Sequence, residues 1–399
     1  MKKLLAELKK YPVVPIFLCF LLLYTVADCC VRNKERDEYE NRRLAQFPAF
    51  SWKSLLANEW TGKYETYMQD QFLGRHGWIV MKSFAESLLG RTENNGVVYG
   101  RDGYQFAKFT SLSDTVDGSM TQLEQNTEYL TRFIGRHPDR VTLLLAPSAS
   151  NILADKLPAG VPLLDEDPYM DGLFAAVKDA GAQVVDLRDV FAAHKDEYLY
   201  YRTDHHWTTD GAYLAYETAA PLLGLGGFVP AEHIPVTAEG FTGTNYNKSL
   251  KFGTAEDTLI YYGDLENTLT VKELRKDGSE ISAEPGGLYD LSALNGRDKY
   301  AAFLRGNHGY STVVGSRGGT DGTQRRILVI KDSYANCFVP FLTADYDQID
   351  VVDLRYWKSN VENLIDLYGY DDILVLYNFQ TFSAESSLFY LNAMLGKED

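Results

Sequence analysis

The chain has 399 residues, of which 45% are hydrophobic and 24% charged. These values are typical of globular proteins and exclude a disordered or low-complexity chain. The formal net charge is −16, although residues 1–43 carry 9 basic and 6 acidic side chains. The acidic excess therefore falls on residues 44–399, which offer no cationic surface for a phosphate backbone. We expect no nucleic-acid partner.

An uncharged run of 17 residues lies near the N-terminus, between Lys10 and Asp28. At ~1.5 Å per residue it reaches about 25 Å, the short end of a membrane span. Four lysines precede the run, which favours a cytoplasmic N-terminus. We predict a cytoplasmic tail over 1–10, a single-pass transmembrane anchor over 11–27 and an acidic body outside the cytoplasmic membrane. A cleaved signal peptide, giving a secreted protein, and a buried helix are the alternatives.

Residues 28–95 are predicted to form a stalk and a docking helix, because apolar residues recur at helical spacing over 77–89. A more regular pattern begins at Thr121, which forms a capping-box signature with Glu124 at the start of a helix.

Five short, continuous apolar runs alternate with helical patterns in the rest of the chain. They are residues 141–146, 183–187, 327–330, 349–354 and 373–377. Such runs are typical of strands buried on both faces, so they predict an α/β fold with a doubly wound parallel sheet. Residues 225–320, rich in Gly, Thr, Tyr and Asn with a hairpin-like pattern after Thr268, predict a mostly β insertion. It divides the α/β domain into a first part, 96–224, and a second part, 321–399.

Polar residues at the ends of these runs are the candidates for chemistry, because ligands of open parallel sheets bind beyond the carboxyl ends of the strands. Ser333 follows the run 327–330, where a strand turns into a helix whose N–H groups can hold an oxyanion. The structural alternative is that Ser333 or Asp332 only caps that helix. Asn378 follows the last run and can donate its side-chain N–H to the same oxyanion.

A serine hydroxyl needs a base, usually a histidine that a carboxylate orients. Asp204 and His206 are two residues apart in an extended segment and project to the same side. His205, between them, is interpreted as a surface or packing histidine. The rival is a metal site of Asp204, both histidines and His308, but adjacent histidines on one turn rarely ligate one ion. We predict no metal and no other cofactor.

The block Thr203-Asp204-His205-His206-Trp207, followed by Asp210-Gly211-Ala212, resembles the signature of the DHHW family. That family is similar to the alginate-acetylating proteins of the SGNH hydrolase-like superfamily, in which an Asp-x-His block precedes the serine block. The serine block here is Lys331-Asp332-Ser333-Tyr334, and the order is the same. The resemblance covers roughly residues 95–399 and implies a circularly permuted, flavodoxin-like SGNH sheet.

The resemblance also implies roles for individual residues: Ser333 as nucleophile, His206 as base and Asp204 as the orienting carboxylate. Lys331 stands where the superfamily usually has glycine. We expect further residues to bind the oxyanion or the substrate, namely Asn378, Tyr334, Arg355, His205 and Trp207.

Together these features predict an extracytoplasmic, serine-dependent O-acetyltransferase that modifies a cell-surface or exported polysaccharide through an acetyl-serine intermediate. Because acetyl-CoA is absent outside the cell, the resemblance implies a membrane-bound O-acyltransferase as the acetyl donor. One alternative is a polysaccharide acetylesterase, in which the same residues use water as the acceptor. The other is a non-catalytic protein that binds glycans or assembles an export complex.

Overall fold

A computed structural model describes residues 10–37, 39, 42–274, 279–317 and 323–392. The chain divides into two compact units. The N-terminal unit comprises residues 1–91 and 250–253, and the sheet unit comprises residues 92–249 and 254–399.

The N-terminal unit is built from helices and one small antiparallel ribbon. Its elements are α1 (Val13–Cys30), β1 (Arg36–Asp37), β2 (Arg42–Arg43), α2 (Trp52–Leu56), α3 (Glu59–Gln71) and α4 (Arg75–Leu88). Two buried carboxylates hold these segments together. Asp70 accepts two hydrogen bonds from the Arg42 guanidinium, at 2.8 and 2.6 Å, and Asp37 pairs with Arg75 and His76.

No helix in the described part of the chain is both long and apolar enough to cross a membrane. Helix α1 spans most of the predicted anchor and runs for 18 residues. Its last turn contains Asp28, whose carboxylate accepts a hydrogen bond from Leu73 N at 2.8 Å. The predicted transmembrane anchor over 11–27, and with it the single-pass membrane localisation, is therefore wrong. Apart from Lys10, the predicted tail lies outside the described residues.

An eight-stranded sheet organises the sheet unit, in the order β11-β10-β12-β14-β13-β15-β6-β7. The elements of the unit are β3 (Glu93–Asn94), β4 (Val97–Tyr99), β5 (Gln105–Ala107), α5 (Gln122–Arg136), β6 (Val141–Ala146), α6 (Ala149–Ile152), α7 (Asp167–Asp179), β7 (Gln183–Asp186), α8 (Arg188–Ala193), α9 (Thr209–Leu223), β8 (Pro235–Phe241), α10 (Thr244–Ser249), β9 (Asp257–Tyr262), β10 (Thr268–Leu274), β11 (Glu280–Gly287), β12 (Tyr310–Val314), β13 (Arg326–Lys331), α11 (Val339–Leu342), β14 (Gln348–Val352), α12 (Glu362–Tyr368), β15 (Asp372–Asn378) and α13 (Phe379–Ala384).

The five strands predicted from the sequence form the parallel part of this sheet, β14-β13-β15-β6-β7. If β13, β14 and β15 are numbered 1 to 3, and β6 and β7 are numbered 4 and 5, the spatial order of the strands is 2-1-3-4-5. This is the order of a doubly wound sheet whose chain begins at a different strand. The winding reverses between β13 and β15, so the carboxyl ends of these two strands form the crevice in which such sheets bind ligands.

The sheet as a whole is mixed, which corrects the prediction of a parallel sheet. Strand β12 pairs antiparallel with β14, β10 with β12 and β11 with β10. All three come from the segment predicted as a β insertion, and they lengthen the sheet at its β14 side. Strands β10 and β11 are the two strands of the predicted hairpin, and residues 275–278 between them lie outside the described residues.

Two apolar clusters flank the parallel strands. In β6, Leu144 and Ala146 belong to one cluster, whereas Leu143 and Leu145 belong to the other. Successive side chains of a strand point to opposite faces, so the clusters cover the two faces of the sheet. Helix α9 contributes to the first cluster, and α5 and α7 contribute to the second. The capping box predicted at the start of α5 is present.

Gly211, in the first turn of α9, lies against the segment that precedes the helix. A Cβ at this position would be 2.3 Å from Leu199 O and 3.1 Å from Trp207 Cβ. We expect Gly211→Ala to lower the free energy of unfolding by about 1–3 kcal/mol, because an extra atom displaces packed neighbours. Urea denaturation of the full chain measures this loss.

Gly172, inside α7, provides the matched control. A Cβ there would meet no atom within 4 Å, so Gly172→Ala should leave the free energy of unfolding unchanged or raise it by up to about 1 kcal/mol. Equal losses for the two variants would contradict the close packing described for Gly211.

Candidate active site

The Asp-His-His-Trp block and the serine block, both identified in the sequence, are joined by a series of side-chain hydrogen bonds. His206 Nε2 lies 2.7 Å from Ser333 Oγ, across 127 positions of sequence. On its other side, His206 Nδ1 lies 2.5 Å from Asp204 Oδ1. A carboxylate thus orients an imidazole towards a hydroxyl, which is the geometry required for activating a serine. The catalytic roles of the three residues stay predictions.

Ser333 owes its position to the residue before it. The side chain of Asp332 accepts a hydrogen bond from Tyr334 N at 2.8 Å and another from Asn378 N at 2.9 Å. Burial raises the pKa of this carboxyl, and the two backbone hydrogen bonds oppose the rise. Asp332 is therefore the cap of the short helix Ser333–Asn336, and the Ser333 hydroxyl is left to face the imidazole.

The Asp204 carboxylate is 2% exposed and accepts hydrogen bonds from two segments. His206 donates from its backbone N at 2.9 Å, and Thr244 donates from its backbone N at 2.7 Å and from Oγ1 at 3.1 Å. Burial alone would raise the pKa of Asp204, but the neighbouring imidazoles and these hydrogen bonds lower it well below its ordinary value. Asp204 is therefore ionised beside His206.

Residues that sequence reasoning missed complete this arrangement. A Cβ on Gly243 would lie 2.2 Å from Asp204, so glycine is what lets the Thr244 backbone approach the carboxylate. The Tyr300 ring stacks on the His206 imidazole, with centroids 3.9 Å apart and planes at 11°, and its hydroxyl donates to Ser333 O at 3.1 Å. These residues lie in the predicted β insertion, where no pattern marked them.

The other predicted binding residues have different surroundings. A cavity of about 300 Å³ is lined by His205, Tyr334 and Asn378, among other residues, whereas Ser333 and His206 are not part of its lining. Trp207 and Arg355 do not belong to this lining. Trp207 is fully buried, and its indole N–H donates to Tyr334 O at 2.9 Å, so it joins the two blocks.

Asn378, Arg355 and Lys331 are held by neighbouring groups. The Asn378 side chain accepts from Gln380 N at 3.0 Å and donates to Ala146 O at 3.1 Å, so its predicted oxyanion role stays a prediction. Arg355 pairs with Asp353 at 2.6 Å. Burial lowers the pKa of Lys331 to about 8, and its ammonium donates to amide oxygens of two asparagines, Asn307 and Asn336.

Asp204, His205 and His206 form a set that could ligate a metal, since their ligand atoms lie within 4.8 Å of one another. These atoms already have partners. His206 Nε2 faces Ser333, the Asp204 oxygens accept from His206 and Thr244, and His205 Nδ1 lies 2.6 Å from Thr244 Oγ1. A metal would have to displace these hydrogen bonds, so the donor set fits serine chemistry better.

The lowered pKa of Asp204 has a consequence for stability. Its ionised form stabilises the folded chain above the ordinary value of 3.8, and this contribution is lost as the pH falls through the folded-state value. We expect Asp204→Asn to be less stable than the wild type at pH 7 and the difference to narrow below about pH 4. Urea denaturation between pH 3 and 7 provides the measurement.

Asp350, fully buried in β14, is the control with the opposite sign. Burial raises its pKa above 3.8. The contribution of the protonated Asp350 to the free energy of unfolding is therefore complete at low pH and is lost as the pH rises. The difference between the wild type and Asp350→Asn should therefore shrink with rising pH. Parallel pH profiles for the two variants would contradict the electrostatics described for Asp204.

Known proteins share this architecture. Family models match the chain over residues 178–352, as a DHHW protein, and over residues 97–244, as an SGNH hydrolase-like domain of acetyltransferase AlgX. No curated protein sequence matches significantly. A DHHW family protein from Eubacterium siraeum is similar over 75% of this chain and 96% of its own, at 22% identity and TM-score 0.59. PatB1 from Bacillus cereus, solved with a sulfonyl adduct, is similar over 74% and 97%, at 19% identity and TM-score 0.56. These likenesses show a shared α/β fold, and the predicted resemblance to the DHHW family and to SGNH hydrolase-like acetyltransferases is confirmed.

Proposed function

We propose that the protein is a serine-dependent O-acetyltransferase that acts on a polysaccharide through an acetyl ester of Ser333. The observation that carries the proposal is the 2.7 Å contact of His206 Nε2 with Ser333 Oγ, while Asp204 holds the opposite nitrogen. The matching family model, described as an acetyltransferase, supports this class of reaction.

In the first half of the reaction, Ser333 Oγ attacks the carbonyl carbon of an acetyl ester and His206 Nε2 takes the hydroxyl proton. The bond between the acetyl group and the donor oxygen then breaks, and His206 returns the proton to that oxygen. Asp204 keeps the imidazole in place and stabilises its cationic form. The products are acetyl-Ser333 and the deacetylated donor.

In the second half, a sugar hydroxyl takes the place of the donor. His206 removes its proton, the sugar oxygen attacks acetyl-Ser333, and Ser333 Oγ leaves with that proton restored. Water in the place of the sugar gives a polysaccharide acetylesterase with the same residues. We further propose a membrane-bound O-acyltransferase as the donor, following the family resemblance.

Substitutions test the three residues as a unit. We expect Ser333→Ala and His206→Ala each to lower acetyl transfer by about 10³-fold or more, because residues that act together are far from additive. Asp204→Asn should retain more activity, since the imidazole remains. His205→Ala should cost about tenfold or less. The assay follows p-nitrophenyl acetate with and without an oligosaccharide acceptor, and mass spectrometry detects acetylated sugar.

Phenylmethylsulfonyl fluoride supplies a second measurement that needs no acceptor. The sulfonyl adduct of PatB1 supports its use, and the wild type should gain one sulfonyl group at Ser333. Thermal unfolding must first show that each variant is folded. Full activity of Ser333→Ala would overturn the covalent mechanism, and loss in His205→Ala with retention in His206→Ala would reassign the base. Hydrolysis without transfer to sugar would indicate the esterase, and an inert chain a binding protein.

Metal removal distinguishes the serine mechanism from its rival. The Asp204 oxygens and His206 Nε2 are already engaged, so activity should survive dialysis against a strong chelator with less than twofold loss. Loss on chelation with recovery on adding zinc would make Asp204 and His206 metal ligands.

A further inference from the structure

A carboxyl group that the proposed chemistry does not use lies behind the wall of the cavity that Tyr334 and Asn378 line. Glu166 is 2% exposed, and the described residues give it no cationic partner. Its Oε2 accepts from Ser148 N at 3.2 Å, and its Oε1 accepts from Ser148 Oγ at 2.6 Å and from Gln380 Nε2 at 2.9 Å. Burial raises the pKa of Glu166, and these hydrogen bonds oppose the rise. Burying a carboxyl group away from water costs free energy, which points to a structural or functional role for Glu166.

Glu166 fixes the orientation of the Gln380 amide. An amide can present either its N–H₂ or its oxygen to a ligand, and a hydrogen-bond partner decides which. Because Nε2 donates to Glu166, Oε1 is turned away from the carboxyl group, and no described residue donates to it. Gln380 is half-buried and lines the cavity. The wall of the cavity therefore presents Gln380 Oε1 as a hydrogen-bond acceptor, and Glu166 fixes the direction in which this oxygen points.

The remaining lining is suited to a ring that carries hydroxyl groups. On the Gln380 side, the Ser150 hydroxyl lies 2.9 Å from Ser148 Oγ and also lines the cavity. The lining also includes Lys248, which adds an ammonium group. Its volume of about 300 Å³ is at the small end of ligand pockets, which fits one sugar ring.

The cavity also adjoins the chain neighbours of the proposed base and nucleophile. His205 and Tyr334 both line it, and they are the chain neighbours of His206 and Ser333. A sugar ring held against Gln380 would thus share the cavity with the chain neighbours of the base and the nucleophile.

We propose that this cavity is the acceptor-sugar subsite, in which Gln380 Oε1 accepts a hydrogen bond from a sugar hydroxyl and Glu166 is the positioning residue that aims it. The proposal rests on the proposed function for the identity of the ligand. It assigns recognition of the acceptor to the β15–α13 side of the cavity, apart from the three residues of the reaction.

The test measures sugar binding without turnover. Isothermal titration calorimetry of the full chain with cellopentaose, xylopentaose and chitopentaose probes hydroxyl recognition, because none of the three carries a charge. At least one should bind, and Gln380→Met, which keeps the size of the side chain but removes its acceptor, should raise the Kd at least tenfold. Glu166→Gln should also raise the Kd, because a second amide competes for the orientation of the first.

Gln183→Met is the matched control, since Gln183 is exposed at the amino end of β7, the opposite end of the sheet. Its Kd should equal that of the wild type. Binding of none of the three sugars, or an unchanged Kd in Gln380→Met, would overturn the subsite. A chain that binds sugar through Gln380 yet transfers no acetyl group would overturn the proposed function and leave the subsite standing.

Discussion

The buried carboxylate of Asp204 is the constraint on which the site depends. A charge this deeply buried is tolerated only when it is fully hydrogen-bonded, and Asp204 meets this condition by drawing donors from two distant segments. His206 supplies one set and Thr244 the other. The hydrogen bonds that compensate for burial of the charge therefore also hold the His206 imidazole in position. They hold the loop around Gly243 against the Asp204 carboxylate as well.

A second carboxyl group relates the site to the fold. Asp332 binds backbone N–H groups at the ends of β13 and β15, the two strands between which the winding of the sheet reverses. The crevice at that reversal is open because the helices after these strands lie on opposite faces. Ser333 lies at the edge of this crevice. The reversal of the winding therefore determines where the site lies, and the hydrogen bonds of Asp332 determine that the Ser333 hydroxyl faces it.

Continuous apolar runs identified the five parallel strands, because strands covered on both faces need no polar positions. Strands β10 and β11 were not placed in the sheet, since their mixed exposure gives no pairing information. The order of the two blocks predicted that Asp204, His206 and Ser333 meet. The contacts of Thr244 and Tyr300 depend on tertiary packing alone and left no signal. The anchor prediction failed because an apolar run does not by itself show that the helix it forms is long and apolar enough to cross a membrane.

The antiparallel extension changes what the sheet presents at its border. Without it, β14 would be the border strand, and its Ile349, Val351 and Val352 are almost wholly buried. With it, the outermost strand is β11, which contains Pro285 and ends in two glycines. A strand that contains a proline, which has no N–H donor, and two glutamates is a poor template for the pairing of another chain. The segment that supplies Tyr300 to the site thus also protects the sheet against edge-to-edge aggregation.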